Sequence, residues 1–267
     1  MKDFSHIWLE MVKDTLVNGV DVGPRGFLTK ELSQRTIEVN MRKPVLRVPE
    51  RRLSYKFMAA EAYWILSGDD LVSTIEPYNR HITQFSDDGV RFFGAYGPKI
   101  IDQLPYVIKK LQEDHSSRQA GLTIWRESPP ATKDVPCTIA AFFGIRENKL
   151  NCHIFMRSSD IWLGIPYDVF NFSMLGHFVC CHLNENIGAS LVKPGKLFLT
   201  AASSHLYAKN WQEARNSGAQ NVLWQPETPT KMFSCLPSEL LDRLRNLREA
   251  GPGSSLRWWE ESYETNP

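Results

Sequence analysis

The chain of 267 residues predicts an α+β fold on two observations. Strand-like segments gather in the middle, where "QAGLTIW", "CTIAAFFGIREN" and "KLNCHIFMRSSD" carry β-branched and aromatic residues, the last two joined by the turn-like "RENK". Around them lie stretches with apolar residues at helical spacing.

Taken in order, "MKDFSHIWLEMVKDTLVNG" puts Phe4, Ile7, Trp8, Met11, Val12 and Leu16 on one helical face and ends near Asn18-Gly19. "VDVGPRGFLTKELSQR" follows as a loop with Gly23-Pro24 and Gly26 as breakers, then "TIEVNM" alternates like a strand. Ser54 to Gly68 reads as a strong helix stopped by Gly68, with Phe57, Met58, Ala62, Trp64, Ile65 and Leu66 facing a core and Glu61 among them. "DDGVRFFGAYG" is a glycine-rich connection, and "PKIIDQLPYVIKKLQED" an amphipathic helix broken near Pro105. After the strands, a long apolar helix runs from Asp168 to about Leu183. "KLFLTAASSHLYAKNWQEAR" then reads as strand, small-residue loop and helix, and "SELLDRLRNLREA" as a short charged helix before a "GPGSS" hinge. One domain over 1–267, with 226–267 as a peripheral C-terminal segment, is the simplest account.

Bulk properties exclude several classes. A net charge of +1 announces neither nucleic acid nor membrane as a partner, so any anion must be met by a local arginine cluster. No segment approaches the roughly 20 apolar residues of a membrane span, and the N-terminus lacks a signal peptide's apolar core. Cys137, Cys152, Cys180, Cys181 and Cys235 are odd in number and irregularly spaced, as expected of reduced thiols in a cytoplasm. His177 and Cys181 in "HFVCCH" stand i, i+4 but have no matching distant pair, so no metal site is expected.

Polar residues stranded in apolar elements point to one shared cavity: Glu61, Cys137, Arg157, Asp160, Asp168, His205 and Tyr207. Singly, Cys137 could be a small buried hydrophobe, Arg157 a surface ion-pair partner, and Asp168 a helix N-cap worth about 1 kcal/mol. A cation beside Cys137 would instead hold it as a nucleophilic thiolate, and Arg157 lies across the "RENK" turn from it.

"VPC", then "RSSDIWLGIPYDV", then "SSHLY" resemble the core motifs of the thymidylate synthase family, and upstream "EAYWILSGD", "GAYGPKI" and "SSRQA" resemble its Glu-x-x-Trp, Tyr-Gly and Ser-Arg-Arg segments in the same order. The resemblance implies a large bent mixed β-sheet flanked by helices, and a homodimer in which Arg118 crosses the interface. It implies that Cys137 attacks C6 of a pyrimidine nucleotide and that C5 captures a one-carbon unit from 5,10-methylenetetrahydrofolate, with no metal. Arg25, Arg118, Arg157 and Ser158 would hold the 5′-phosphate, with Arg35 competing with Arg25 for its place. Asp160, His205 and Tyr207 would bind the nucleotide, the last two at the sugar hydroxyl, and Trp64, Asp160, Gly164 and Tyr167 would border the folate.

Departures from the family pattern refine this expectation. Asp168 stands where methylating members carry asparagine; a carboxylate suits the N4 amino group and a protonated N3 of cytosine rather than uracil. Thr138 replaces a histidine, as in the family's deoxycytidylate hydroxymethylase branch. "HITQFSDDG" holds Thr83 and Phe85 but no tryptophan to shield an exocyclic methylene, so water, organised by Glu61 with Tyr96 as relay, would add to give hydroxymethyl. Gln119 replaces the second arginine of Ser-Arg-Arg, which Lys133 or Arg126 could compensate, and "WEESYETNP" is not the family's apolar tail, though Trp258-Trp259 could serve as a lid. The expected activity is dCMP 5-hydroxymethylation in the cytoplasm, that of a phage-infected host on this resemblance. The alternatives are a reductive dCMP methyltransferase, a CMP or dUMP hydroxymethylase, and a non-catalytic nucleotide-binding protein.

Overall fold

A computed structural model describes residues 3–128, 130–185, 191–218 and 222–249; the "GPGSS" hinge, Trp258-Trp259 and the C-terminal "WEESYETNP" lie outside them. Helix α1 (Phe4–Asn18) is capped by the Asp3 carboxylate, which accepts from Ser5 N–H. It leads through β1 (Val20–Val22) and a 3₁₀ turn at Pro24–Gly26 into β2 (Thr29–Asn40). Helix α2 (Tyr55–Leu66) starts on the Ser54 hydroxyl and ends at Gly68, whose φ of +76° lets its N–H close back on Ile65 O. A short α3 (Val72–Ile75) and a 3₁₀ segment (Arg80–Phe85) precede α4 (Tyr96–Glu113). Then come β3 (Gly121–Thr123), β4 (Thr138–Arg146), β5 (Lys149–Asp160), α5 (Ile165–Asn184), β6 (Lys193–Tyr207), α6 (Trp211–Asn216) and α7 (Pro237–Glu249).

The strands form one six-stranded sheet in the order β1-β2-β6-β5-β4-β3. All pairs are antiparallel except β5 with β6, so the sheet is mixed, as the resemblance implies. Residues Glu147 and Asn148 both take positive φ and turn β4 into β5 as a tight hairpin, while the parallel pair is joined through α5. Helix α5 is buried along nearly its whole length, between β5 and β6 on one side and α2, α4 and α7 on the others, which explains why its sequence is apolar all round. Helix α7 packs chiefly on α2, with Leu240 and Leu244 fully buried.

Four elements differ from the sequence reading. Strand β2 begins at Thr29, inside the expected loop, because it pairs with β6 along its whole length, from Thr29 opposite Tyr207 to Asn40 opposite Lys196. Strand β6 runs unbroken through Ala201–Ser204, because its backbone is bonded on both edges and needs no large side chains to stay extended. Helix α4 passes through Pro105 without breaking: Ile100, Leu104, Val107 and Leu111 are buried on one face, and at roughly 2 kcal/mol each they outweigh the roughly 3 kcal/mol of an internal proline. Helix α5 starts at Ile165 rather than at Asp168.

Inside this core, His177 bonds Ser173 O at 2.8 Å and Thr228 Oγ1 at 2.9 Å, tying α5 to the segment before α7. Burial, seconded by Arg42, pushes its imidazole down to about 4. The folded state therefore favours neutral His177, and the stability this contributes is complete above the ordinary pKa near 6.5 and is lost as pH falls toward 4. Denaturant titrations should show the gap between wild type and His177→Asn narrowing by about 2 kcal/mol from pH 7 to pH 5; a constant gap would mean the imidazole is not held neutral.

Candidate active site

The ends of β5 and β6, the head of α5 and the facing side of α2 meet at one end of the sheet. Strand register sets Asp160 opposite His205, and the chain then turns sharply into α5. One oxygen of Asp160 accepts from Trp162 N–H and Leu163 N–H, both at 2.8 Å, and its carbonyl accepts from Gly164 N–H at 3.0 Å. Position 164 is tight: a Cβ there would stand 3.1 Å from Asp160 O and 3.2 Å from Asp168 Oδ2. Burial raises the Asp160 carboxyl and lowers the His205 imidazole, and the charge of each opposes the shift of the other.

Asp168 is not the helix cap. Gly164 holds that position, and Asp168 lies a turn inside, its own N–H donating to Gly164 O at 3.0 Å. The first donors of α5 need no capping side chain: the N–H groups of Tyr167 and Asp168 donate to Gly164 O at 2.9 and 3.0 Å, and Pro166 has none. Among the described residues no group hydrogen-bonds the Asp168 carboxylate. Desolvation, and then Asp160, push it up to about 7. Glu61 on α2 is also lifted to about 7, by desolvation and more weakly by Asp168, against a 2.7 Å hydrogen bond from Asn171 Nδ2. Tyr96 lies stacked on Phe172, and its hydroxyl accepts from Thr138 N–H at 3.2 Å, next to the cysteine. Burial raises this phenol strongly, with Cys137 and Asp168 adding to the effect.

Cys137 is partly buried at the foot of β4. Arg157 N–H donates to its carbonyl at 2.8 Å, and the Arg157 guanidinium spans Pro136 O and Val135 O, both at 2.9 Å, with Trp125 5.9 Å from its centre. Burial pushes the thiol up, while Arg157, and after it Arg25, pull it back toward the thiolate. Arg25 sits exposed in the turn after β1 with φ of +55°, a conformation that L residues rarely adopt. Its charge acts on Cys137 and His205, whereas Arg35 is paired with Asp14 of α1 at 2.9 Å.

Around this centre, Ser158 follows Arg157 on β5, and Tyr207 closes β6 against His205 at 5.3 Å. Trp64 is buried against Phe92, with its indole N–H left without a partner among the described residues, a donor that fits a polar group of a bound folate. Tyr167 packs on Phe57 and accepts from Ser54 N–H at 3.2 Å. Arg118 is not brought to the site within this chain; it stands exposed in the loop before β3. Lys133 bonds Asp87 through its backbone, and Arg126 acts on Lys99.

Sequence reasoning passed over two residues. Asn171 was legible as a lone amide on an apolar helix, one turn beyond Asp168. Arg51 carried no signal; its Nε–H donates to Trp162 O at 2.7 Å, and its guanidinium lies beside Tyr167 and Asp160. His177 and Cys181 share no ligand set: the first is hydrogen-bonded in the core, and the second faces Cys235 with its sulfur 3.7 Å away. Among the described residues no three of His, Cys, Asp or Glu are grouped to hold a metal ion, and no helix is long and apolar enough to cross a membrane.

Compared with known proteins, the chain is 27% identical over 208 residues to a deoxyuridylate hydroxymethyltransferase of Bacillus phage SP01. That match covers 69% of this chain and 54% of the relative, so the chain spans about half the length of the curated protein it matches. The family model described as thymidylate synthase matches residues 6–231, from α1 through the whole sheet to the segment that contacts His177. With that match running across the elements that hold Cys137, Arg157 and the carboxyl cluster, the chain belongs to the thymidylate synthase family.

Proposed function

We propose that the protein transfers a one-carbon unit to C5 of a pyrimidine nucleotide, converting dCMP to 5-hydroxymethyl-dCMP, in the cytoplasm of a phage-infected cell. The observation that carries this is the Asp168 carboxyl, at the head of α5 with no protein hydrogen-bond partner among the described residues and titrating near neutrality. A carboxyl that shares one proton with cytosine N3 and accepts from N4–H is satisfied on both oxygens. The same proton draws electrons from C6, where Cys137 attacks.

Arg157 favours the thiolate of Cys137 and, with Arg25 and Ser158, meets the 5′-phosphate. His205 and Tyr207 hold the sugar. Attack by the Cys137 sulfur on C6 moves the ring π electrons to C5, which becomes the nucleophile. When bound, 5,10-methylenetetrahydrofolate supplies the one-carbon unit; Trp64, Tyr167, Gly164 and Asp160 border its place. Tyr96, a very weak acid here, relays a proton rather than carrying charge. Thr83 bonds back to Arg80 O and Phe85 is exposed in the segment where methylating members shield the methylene with tryptophan, which supports water as the nucleophile that adds to the methylene.

The second subunit supplies Arg118. The uncovered face of β4 and β5 presents Ile139, Phe142 and Phe155 to solvent, with Phe142 and Phe155 in edge contact at 6.3 Å, an apolar face suited to a second copy.

The dUMP hydroxymethylase reading rests on the phage relative's name and on the same carboxyl: in its protonated form Asp168 would donate to O4 of uracil and accept from N3–H. Competition between dCMP and dUMP, with the product identified by mass, separates the two. Hydroxymethyl-dCMP is expected, and preference for dUMP overturns the cytosine assignment. Dihydrofolate among the products would mean reduction to methyl. Asp168→Asn should move kcat/KM toward dUMP by about a hundredfold or more, because the amide faces cytosine with the wrong donor. For the dimer, mixing inactive Arg118→Ala and Cys137→Ala chains should restore roughly a quarter of wild-type sites through hybrid dimers; no recovery, from chains shown to exchange subunits, rules out a shared site.

A further inference from the structure

The mechanism gives no role to Asn171, a buried group at the site. Asn171 is 5% exposed, on the face of α5 turned to α2 and one helical turn from Asp168. Its Nδ2 donates to Glu61 Oε2 at 2.7 Å, while its Oδ1 is buried with no partner among the described residues. Leaving a carbonyl oxygen unsatisfied at such a depth is costly, and an amide whose two ends are treated so differently is oriented for a donor that the protein does not supply. The oxygen and nitrogen of one amide stand only about 2.3 Å apart, so a water bonded to Oδ1 on the side of Glu61 can reach its carboxylate as well.

We infer that Asn171 is the positioning residue for water addition: its N–H fixes one oxygen of Glu61, and its carbonyl holds the water that the other oxygen deprotonates. This rests on the hydroxymethyl function proposed above. In the step, the water oxygen forms a bond to the exocyclic methylene carbon and its proton passes to Glu61. The C5-methylene π pair moves into the ring between C4 and C5 while the C4–N3 π pair withdraws onto N3; that pair then returns between N3 and C4, and the C4–C5 pair moves between C5 and C6 as the C6–sulfur bond breaks and the Cys137 thiolate leaves. No oxidant or reductant is consumed. The charge environment agrees with this assignment. Asp168 and Tyr167 face Glu61 from α5, and Asp168 raises its carboxyl, whereas the Asn171 N–H favours the ionised base. Tyr96 of α4 is in turn influenced by Cys137 and Asp168.

Asn171→Leu removes both hydrogen-bonding ends at similar size, and Asn171→Ser is a smaller polar change should the first not fold. With the nucleotide that wild type accepts, tritium release from C5 reports thiolate attack and one-carbon capture, and mass analysis reports the hydroxymethyl product. In the variants, with 2-mercaptoethanol added to trap the methylene as a thioether and free the enzyme, release should stay within about threefold while hydroxymethyl product falls by about a hundredfold. Independently of turnover, the carboxyl infrared band that Glu61→Gln abolishes should titrate at higher pH in Asn171→Leu, because the hydrogen bond to the ionised form is gone. Equal loss of release and product, or an unshifted band, overturns the role of Asn171 and leaves the proposed function standing. A wild type that yields methylated nucleotide and dihydrofolate overturns that function and the water site together.

Discussion

Burying carboxyl groups without a neighbouring lysine is the constraint from which the site follows. Glu61, Asp160 and Asp168 lie in one desolvated region, and each is driven toward its neutral form. The chain satisfies them unequally. Asp160 takes two backbone donors and faces His205, Glu61 takes one amide, and Asp168 takes none from the described residues. A carboxyl left in that condition is stabilised by whatever brings it a donor or shares its proton. Of the positive charges, Arg51 acts on Asp160, while Arg157 and Arg25 act on Cys137, so the site is divided into a cationic half around the thiol and an acidic half around Glu61 and Asp168.

The fold keeps the halves in register because each is built on a different rigid element. Arg157 is locked to the backbone around Cys137 by three hydrogen bonds, one from its N–H and two from its guanidinium. The acidic half hangs on the turn from Asp160 to Gly164, which aims the first turns of α5, and with them Asp168 and Asn171, at Glu61 of α2. Trp8 of α1 donates to Ile161 O at 2.8 Å and packs on Trp162, so this turn is clamped from behind as well.

The most chemically loaded residues were legible in the sequence, and the reason is physical. Glu61, Asp168 and Arg157 are charges in segments otherwise fit for a core, and such placements stand out against periodicity. The limits of α2 and β5 were also readable, from a serine cap, a terminal glycine and a tight turn. What escaped depends on partners distant in sequence. Strand β2 is ordered by β6, the small residues of β6 are held by both neighbouring strands, and α4 carries Pro105 because its buried face outweighs one lost hydrogen bond. Asp168 looked like a cap because local sequence favoured one; the helix instead begins three residues earlier, at Ile165, and Gly164 O accepts from Tyr167 N–H and Asp168 N–H. Asn171 was a visible anomaly, but its meaning required knowing that α2 lies opposite.

The parallel pairing of β5 and β6 gives the two halves of the site different entropic origins. Cys137 and Arg157 are brought together by a hairpin whose turn is two residues long, so little chain freedom is lost in joining them. Asp160 and His205 face each other only after a helix of 20 residues and the chain beyond it have been threaded back along the sheet. The half around Cys137 is therefore a local product of the chain, while the acidic half is a long-range one, sensitive to any substitution that loosens the crossover helix far from Asp168.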